Sequence, residues 1–259
     1  MHKHNSEKKK SPPKTAVLLL TMLLVGFLLG ASAPYKDWLL WDRFQTMRFA
    51  LFCGTLMEPT PRNVLFETFS PKADVVMIGD SVTSAGEWSE IFPDVKIANR
   101  GISGETAEDI LQRMAPIFAV QPKMAFLMVG INDIYDGQSI DSIFGNYVNI
   151  VEQLRTRNIT VYMQSTIECS IDKCGDRIDK VRELNRRLEA YAVEHGITFI
   201  DLNAGLSSES QGLLKDYTYD GMHLSAQGFV QWKAMIKAYV NLHTAQNPNG
   251  EIRDQILAK

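Results

Sequence analysis

The sequence predicts an α/β fold in which helices cover both faces of a parallel sheet. From Lys72 onward, short apolar runs alternate with longer segments of helical periodicity. In one of these segments Ile178, Val181, Leu184 and Leu188 recur at spacings of three and four, which gives a helix a single apolar face. Regular alternation of strands and helices is typical of a parallel sheet buried on both sides.

The predicted elements follow one another in a regular order along the chain. Such sheets bind ligands beyond the carboxyl ends of their strands, so the turns after each strand are where chemistry is expected. The predicted strands are Val75–Ile78, Val95–Ala98, Ala125–Val129, Thr160–Gln164 and Thr198–Ile200, and the predicted helices are Ala107–Val120, Ile140–Arg157, Ile178–His195 and Ala226–Leu242.

The composition excludes several classes of protein. With 259 residues, 45% hydrophobic and 22% charged, the chain is globular rather than disordered, collagen-like or coiled coil. A net charge of −3 offers no basic surface for nucleic acid. Three cysteines are too few for a disulfide scaffold, and no His/Cys cluster has metal-ligand spacing, so we expect neither a metal nor another cofactor.

The charge is distributed unevenly between the N-terminus and the rest of the chain. Residues 1–33 carry a net charge of +4 and the remainder carries −7. Residues 16–33 contain no charge, and as a helix they would extend roughly 27 Å, just short of a bilayer core. Since the lysines precede this run, the positive-inside rule predicts a cytoplasmic tip at residues 1–15 and a body outside the membrane, periplasmic or extracellular.

The apolar run has two interpretations, an uncleaved transmembrane signal anchor and a signal peptide. Cleavage would use the small residues Ala31-Ser32-Ala33 and would release a secreted protein, although Pro34 directly after that site disfavours it. Residues 34–71 are predicted to form an aromatic juxtamembrane segment and a linker, or partly a helix packed on the following domain. A catalytic domain is predicted at 72–243 and a C-terminal tail at 244–259.

Four short blocks at the predicted strand ends carry reactive or hydrogen-bonding groups. In chain order they are Gly79-Asp80-Ser81, a glycine-rich turn that includes Gly104, Asn132 directly after the third strand, and Asp220 with His223 three residues later. Each block alone is commonest as an ordinary turn or helix cap. Together they hold a nucleophile, a base with its orienting carboxylate, and hydrogen-bond donors for an oxyanion.

The four blocks in this order resemble the SGNH, or GDSL, hydrolase family, over about residues 73–242 and most closely its bacterial platelet-activating-factor acetylhydrolase-like and lysophospholipase-like branch. The resemblance implies a flavodoxin-like three-layer α/β/α sandwich with a five-stranded parallel sheet. It implies a catalytic triad of Ser81, Asp220 and His223, and an oxyanion hole made by Ser81, Gly104 and Asn132. Glu105 stands where the family often has aspartate.

The implied function is a membrane-tethered serine esterase that acts outside the cytoplasm on short acyl esters. An O-acetyl group on a carbohydrate is the leading substrate, and a lipid or lysophospholipid ester is the alternative, as in acyl thioesterase-like members. A glycan-binding or assembly protein that retains the fold without catalysis is a further alternative. In an oxidising compartment Cys169 and Cys174 are expected to form a disulfide, with two free thiols as the other possibility.

Overall fold

The computed structural model describes residues 62–242. Within this range, strands and helices alternate from the first strand to the last helix, as the sequence predicts. The strands are β1 Val75–Gly79, β2 Ile97–Gly101, β3 Met124–Met128, β4 Thr160–Gln164, β5 Thr198–Ile200, β6 Ser207–Ser208 and β7 Gly212–Leu213; the helices are α1 Arg62–Thr68, α2 Ser81–Ser84, α3 Trp88–Ile91, α4 Ala107–Gln112, α5 Met114–Ala119, α6 Ile131–Tyr135, α7 Ile140–Arg155, α8 Ile171–Cys174, α9 Arg177–Glu194, α10 Asn203–Leu206 and α11 Ala226–Leu242.

Five of these strands form one parallel sheet in the order β2-β1-β3-β4-β5. The predicted five-stranded α/β/α sandwich is therefore confirmed. In this order β1 lies between β2 and β3, and the ends of the three strands are in register. Gly79 at the end of β1 is aligned with Gly101 of β2 on one side and Met128 of β3 on the other.

Both faces of the sheet are buried, because alternate side chains of each strand enter different cores. On one face, Val76 and Ile78 of β1 pack with residues of α4, α5, α7 and α9. On the other face, Val75 and Met77 pack with Trp88 of α3 and with the apolar side of α11. The central strands β1 and β3 are consequently buried at every position and have no alternating polar residues.

One predicted helix is divided in the structure. The periodicity predicts a single helix over 107–120, but α4 ends at Gln112 and α5 begins at Met114, with Arg113 between them at φ −120° and ψ 37°. Pro116 accounts for the break, since proline has no amide hydrogen and its ring clashes with the carbonyl four residues earlier, here that of Gln112. Arg113 is thereby placed at a bend, with its side chain buried.

Helix α1 lies within the range predicted as a juxtamembrane segment and linker. Its Phe66 is buried and lies under the Arg100 guanidinium, whose carbon is 4.3 Å from the ring centroid. Arg62 Nη1 donates to Ser84 Oγ at 2.9 Å. At least the last part of that range is therefore joined to the catalytic domain by side-chain contacts.

The predicted membrane span at residues 16–33 lies outside the described residues, as do the tip and the C-terminal tail. Within 62–242, no helix is long and apolar enough to cross a bilayer.

Candidate active site

The first block forms a tight turn between β1 and α2. A side chain at Gly79 would place its Cβ 2.2 Å from the Met128 carbonyl oxygen and 2.3 Å from Thr83 Oγ1, so glycine is required there. Asp80 caps α2, with its Oδ1 accepting from the Val82 amide at 3.0 Å. Ser81 is therefore the first residue of the helix, where its backbone N–H has no partner within the helix.

Ser81, His223 and Asp220 form a continuous chain of hydrogen bonds. Ser81 Oγ lies 3.0 Å from His223 Nε2, across 142 residues of sequence. His223 Nδ1 lies 2.7 Å from Asp220 Oδ2. A carboxylate at Nδ1 requires the proton to sit on that nitrogen, which leaves Nε2 to accept the hydrogen of the Ser81 hydroxyl.

Asp220 is held in its ionised form by the groups around it. Partial burial works against ionisation, but hydrogen bonds from the His223 ring and from the backbone amides of His223 and Met222 outweigh it and lower the pKa of Asp220. The two amides donate to Oδ1 at 2.7 and 2.9 Å, while the ring contacts Oδ2. The carboxylate thus orients the imidazole and stabilises its protonated form.

The turn that carries Asp220 and His223 is braced from two sides. Thr218 Oγ1 donates to the His223 carbonyl at 2.6 Å and accepts from the Gly221 amide at 2.9 Å. From a different segment, the Ser170 amide donates to the Gly221 carbonyl at 2.7 Å. Ser170 lies between Cys169 and Cys174, which the structure joins in a disulfide with the Cα atoms 5.6 Å apart.

Gly104 lies on the turn after β2, and Asn132 is the second residue of α6, the helix that follows the neighbouring strand β3. Gly104 has φ +83°, a left-handed conformation that favours glycine, and no atom lies within 4 Å of the position its Cβ would take. Asn132 Nδ2 donates to the Glu105 carbonyl at 2.8 Å. Because an amide nitrogen carries two hydrogens, this bond orients the Asn132 side chain and leaves it a second N–H.

Glu105 belongs to a buried ion pair that the sequence did not reveal. Arg113 Nε donates to both carboxylate oxygens at 2.6 and 2.7 Å, and Nη2 also contacts the carboxylate. The same Nη2 donates to the Arg100 carbonyl, at the end of β2, at 2.8 Å. Arg113 therefore ties the turn after Gly104 to the sheet. Nothing in the local sequence marks Arg113, because the bend that buries it comes from Pro116.

Two further carboxyl groups of the motifs are buried among these turns. Burial raises the pKa of Asp80 to about 7, although the Val82 amide and His223 act in the opposite direction. Burial also raises the pKa of Asp133 to about 6, against the hydrogen bonds from the Ala107 amide at 3.0 and 3.1 Å. Asp133 thereby joins α6 to the start of α4, which is a structural role. In the part of the chain described, no three His, Cys, Asp or Glu residues are grouped to hold a metal ion.

Comparison with known families decides to which family this arrangement belongs. The GDSL-like Lipase/Acylhydrolase family matches residues 77–229, a range that includes Ser81, Gly104, Asn132, Asp220 and His223. The chain belongs to this family. The resemblance drawn from the sequence is therefore confirmed, and the hydrogen-bonded chain of Ser81, His223 and Asp220 joins the first and last of the four blocks.

Individual relatives of this chain are distant. It is 25% identical over 167 residues to the platelet-activating factor acetylhydrolase IB subunit alpha1 of Bos taurus, covering 60% of this chain and 70% of the relative. It is 22% identical over 159 residues, 61% of this chain, to an N-acylneuraminate cytidylyltransferase of Streptococcus agalactiae. It spans only 37% of the length of that second relative.

Solved structures share the fold. A GDSL-like lipase from Bacteroides thetaiotaomicron superposes with a TM-score of 0.60 at 25% identity, over 75% of this chain and 96% of the other. The acetylxylan esterase Axe2 of Geobacillus stearothermophilus gives a TM-score of 0.55 at 16% identity, over 66% of this chain and 95% of the other. The second likeness concerns the fold alone.

The buried ion pair should make a large and specific contribution to stability. Arg113→Met leaves the Glu105 carboxylate, whose side chain is 13% exposed, without its partner, and we expect a loss of about 3–5 kcal/mol in the free energy of unfolding by urea denaturation. The double variant Glu105→Met/Arg113→Met should recover most of this loss, because no unpaired charge then stays buried. Arg155→Met, which breaks an exposed pair with Glu152, should cost less than about 1 kcal/mol. Equal losses for Arg113→Met and Arg155→Met would contradict the argument.

Asp80 should make the stability of the domain decline with rising pH. Its pKa is raised on folding, so the native state binds this proton more tightly, and the stabilisation present below about pH 4 is lost as the pH approaches 7. The variant Asp80→Asn carries no charge at any pH. Its free energy of unfolding relative to wild type should therefore rise by on the order of 1 kcal/mol or more between pH 4 and pH 8. Asp94→Asn, at an exposed position, is the control. If both variants show the same pH dependence of stability relative to wild type, burial does not raise the pKa of Asp80.

Proposed function

We propose that this GDSL acylhydrolase is a membrane-tethered serine esterase that works outside the cytoplasm and removes short acyl groups, chiefly O-acetyl groups, from carbohydrate. The observation that carries the proposal is the hydrogen-bonded chain from Ser81 through His223 to Asp220. It provides a nucleophile, a general base and the group that orients the base.

In the proposed reaction His223 Nε2 takes the proton of Ser81 while Oγ attacks the ester carbonyl carbon. The tetrahedral intermediate carries its negative charge on the former carbonyl oxygen, which accepts from the Ser81 and Gly104 amides and from Asn132. Each such donor lowers the barrier by about 3–4 kcal/mol. His223 then returns the proton to the leaving alkoxide, and an acyl group remains on Ser81.

Water completes the cycle by the same route in reverse. His223 accepts a proton from the water as the water oxygen attacks the acyl carbon, and the second tetrahedral intermediate collapses to release the carboxylic acid. The proton returns from His223 to Ser81 Oγ, and the free serine is regenerated. Water is the second substrate, and neither half of the reaction includes a redox step.

The short acyl group is supported by two of the proteins compared above. The Bos taurus relative is named an acetylhydrolase, and Axe2 is named an acetylxylan esterase. The first of these names specifies platelet-activating factor and not a carbohydrate, so the second candidate, a lipid or lysophospholipid ester, is kept beside the first. The choice between them depends on the alcohol part of the ester, since both names specify acetyl.

The membrane tether and the location rest on the sequence and on one structural feature. The uncharged run at 16–33 follows a cluster of lysines, which supports an N-terminus in the cytoplasm and a catalytic domain outside. The disulfide between Cys169 and Cys174 supports the same location, because such bonds persist in oxidising compartments.

Removing the nucleophile should abolish the reaction and leave the fold intact. Ser81→Ala in the full chain should lower kcat for a chromogenic acetate ester by roughly 10⁴-fold or more, with an unchanged melting temperature. A fluorophosphonate probe should form one adduct with the wild type, located at Ser81, and none with the variant. Ser142→Ala, an exposed serine of α7, should match the wild type in both measurements. Turnover by purified Ser81→Ala would refute Ser81 as the nucleophile. A wild type that neither turns over the ester nor reacts with the probe would favour the non-catalytic alternative.

The tether can be tested in a bacterial host that expresses the full chain. We expect the protein to stay in the membrane fraction after an alkaline carbonate wash, and protease added to spheroplasts to digest the catalytic domain. A soluble protein whose intact mass corresponds to a chain that starts at Pro34 would show that residues 1–33 are a cleaved signal peptide instead. A catalytic domain protected from the added protease would contradict the proposed location.

A further inference from the structure

Tyr219 places a large aromatic ring in solvent beside the candidate general base. Its side chain is 72% exposed, and its ring lies nearly parallel to the His223 imidazole, with 15° between the planes and 5.9 Å between the centroids. In the part of the chain that the structure describes, Phe69, directly after α1, is the other aromatic side chain with comparable exposure, at 66%. A ring so exposed contributes little to folding stability through burial.

The backbone of Tyr219 is held in a fixed position relative to the triad. Tyr219 directly precedes Asp220, and its amide donates to the His223 carbonyl at 3.4 Å. The same carbonyl accepts from Thr218 Oγ1 at 2.6 Å, and the turn is anchored through Gly221 to Ser170. Tyr219 is therefore part of the braced turn that carries Asp220 and His223.

The proposed reaction determines which part of a substrate lies next to this ring. His223 must return its proton to the leaving oxygen, so the alcohol of the ester has to approach His223 Nε2. The acyl carbon is bonded to Ser81 Oγ and its oxygen points to the amides of the oxyanion hole. Tyr219, on the imidazole side, is consequently a neighbour of the alcohol and not of the acyl chain.

A rigid, flat ring with an exposed face suits one class of alcohol in particular. A pyranose presents a flat face of C–H groups that can pack on an aromatic ring, and its hydroxyls can bond to the phenol oxygen or to water. A glycerol chain is flexible and has no comparable flat face. Tyrosine gives such contact area at a low entropic cost, because it has only two side-chain torsions to fix.

We propose that Tyr219 is a stacking platform for the sugar ring of the substrate, and that the substrate class is an O-acetylated pyranoside. The proposal rests on the esterase function argued above and specifies its alcohol. It makes Tyr219 a residue that determines specificity, separate from the hydrogen-bonded chain that performs the acyl transfer.

The test uses three substrates that share the acetyl group and differ only in the alcohol: a methyl O-acetyl-pyranoside, glycerol monoacetate and ethyl acetate. The full chain in detergent micelles is compared with Tyr219→Ala, Tyr219→Phe and Tyr219→Trp by acid release in a pH-stat. For Tyr219→Ala we expect kcat/KM on the pyranoside, relative to ethyl acetate, to fall about fivefold to tenfold, mainly through KM. Tyr219→Phe and Tyr219→Trp should keep the wild-type ratio. Phe69→Ala, which removes an equally exposed ring, should also keep it.

Each other outcome counts against the platform. A Tyr219→Ala ratio equal to that of wild type would overturn it. An equal loss on all three substrates, with a shifted pH profile, would mean that Tyr219 positions His223. A loss confined to glycerol monoacetate would assign the ring to a lipid alcohol. If the wild type cleaves none of the three substrates and the probe does not label Ser81, the proposed esterase function fails and the platform fails with it. If the wild type hydrolyses ethyl acetate but Tyr219→Ala leaves the kcat/KM ratio unchanged, the platform alone is rejected.

Discussion

The site depends on the close approach of three segments at the carboxyl ends of neighbouring strands of the sheet. Because β1 lies between β2 and β3, the turns that carry Ser81, Gly104 and Asn132 must leave the sheet side by side. The contact is so close that Gly79 has no room for a methyl group against the Met128 carbonyl and Thr83. A larger residue at position 79 would push the segment that carries the nucleophile away from the neighbouring segments that carry the hydrogen-bond donors. The geometry of the site therefore depends on this close packing.

Hydrogen bonds and an ion pair connect the segments at the strand ends, beyond the apolar cores on the two faces of the sheet. Asp80 caps the helix of the nucleophile, Asp133 joins the third block to the second, and the Glu105–Arg113 pair joins the second block to β2. Each of these groups is largely buried, and burial alone is unfavourable for a charge. Burial of these groups therefore lowers the stability of the domain, and their hydrogen bonds fix the geometry of the turns at the carboxyl ends of the strands. The apolar cores on the two faces of the sheet provide the stability that offsets it.

The sequence predicted well what depends on neighbouring residues. β4 and β5 have the predicted bounds because each is a short β-rich apolar run, and α11 also has its predicted bounds. The four blocks also identified Ser81, Asp220 and His223 as candidates, and the structure brings these three into hydrogen-bonding contact. The bend at Arg113 was missed, although Pro116 was visible, because the apolar spacing continues through it. Contacts between segments distant in sequence, such as the Ala107 amide with Asp133, leave no periodic signal in the chain.

The distance in sequence between Ser81 and His223 has a consequence for biosynthesis. All five strands of the sheet are complete at Ile200, so a chain that has emerged to that point holds the serine, its turn and both neighbouring strands. It lacks its hydrogen-bonding partner, which arrives with the last turn before α11. In the proposed mechanism a nascent or truncated chain would be inert toward esters until synthesis is nearly finished. The order of the blocks would then protect a cell from its own hydrolase while the enzyme is still being made.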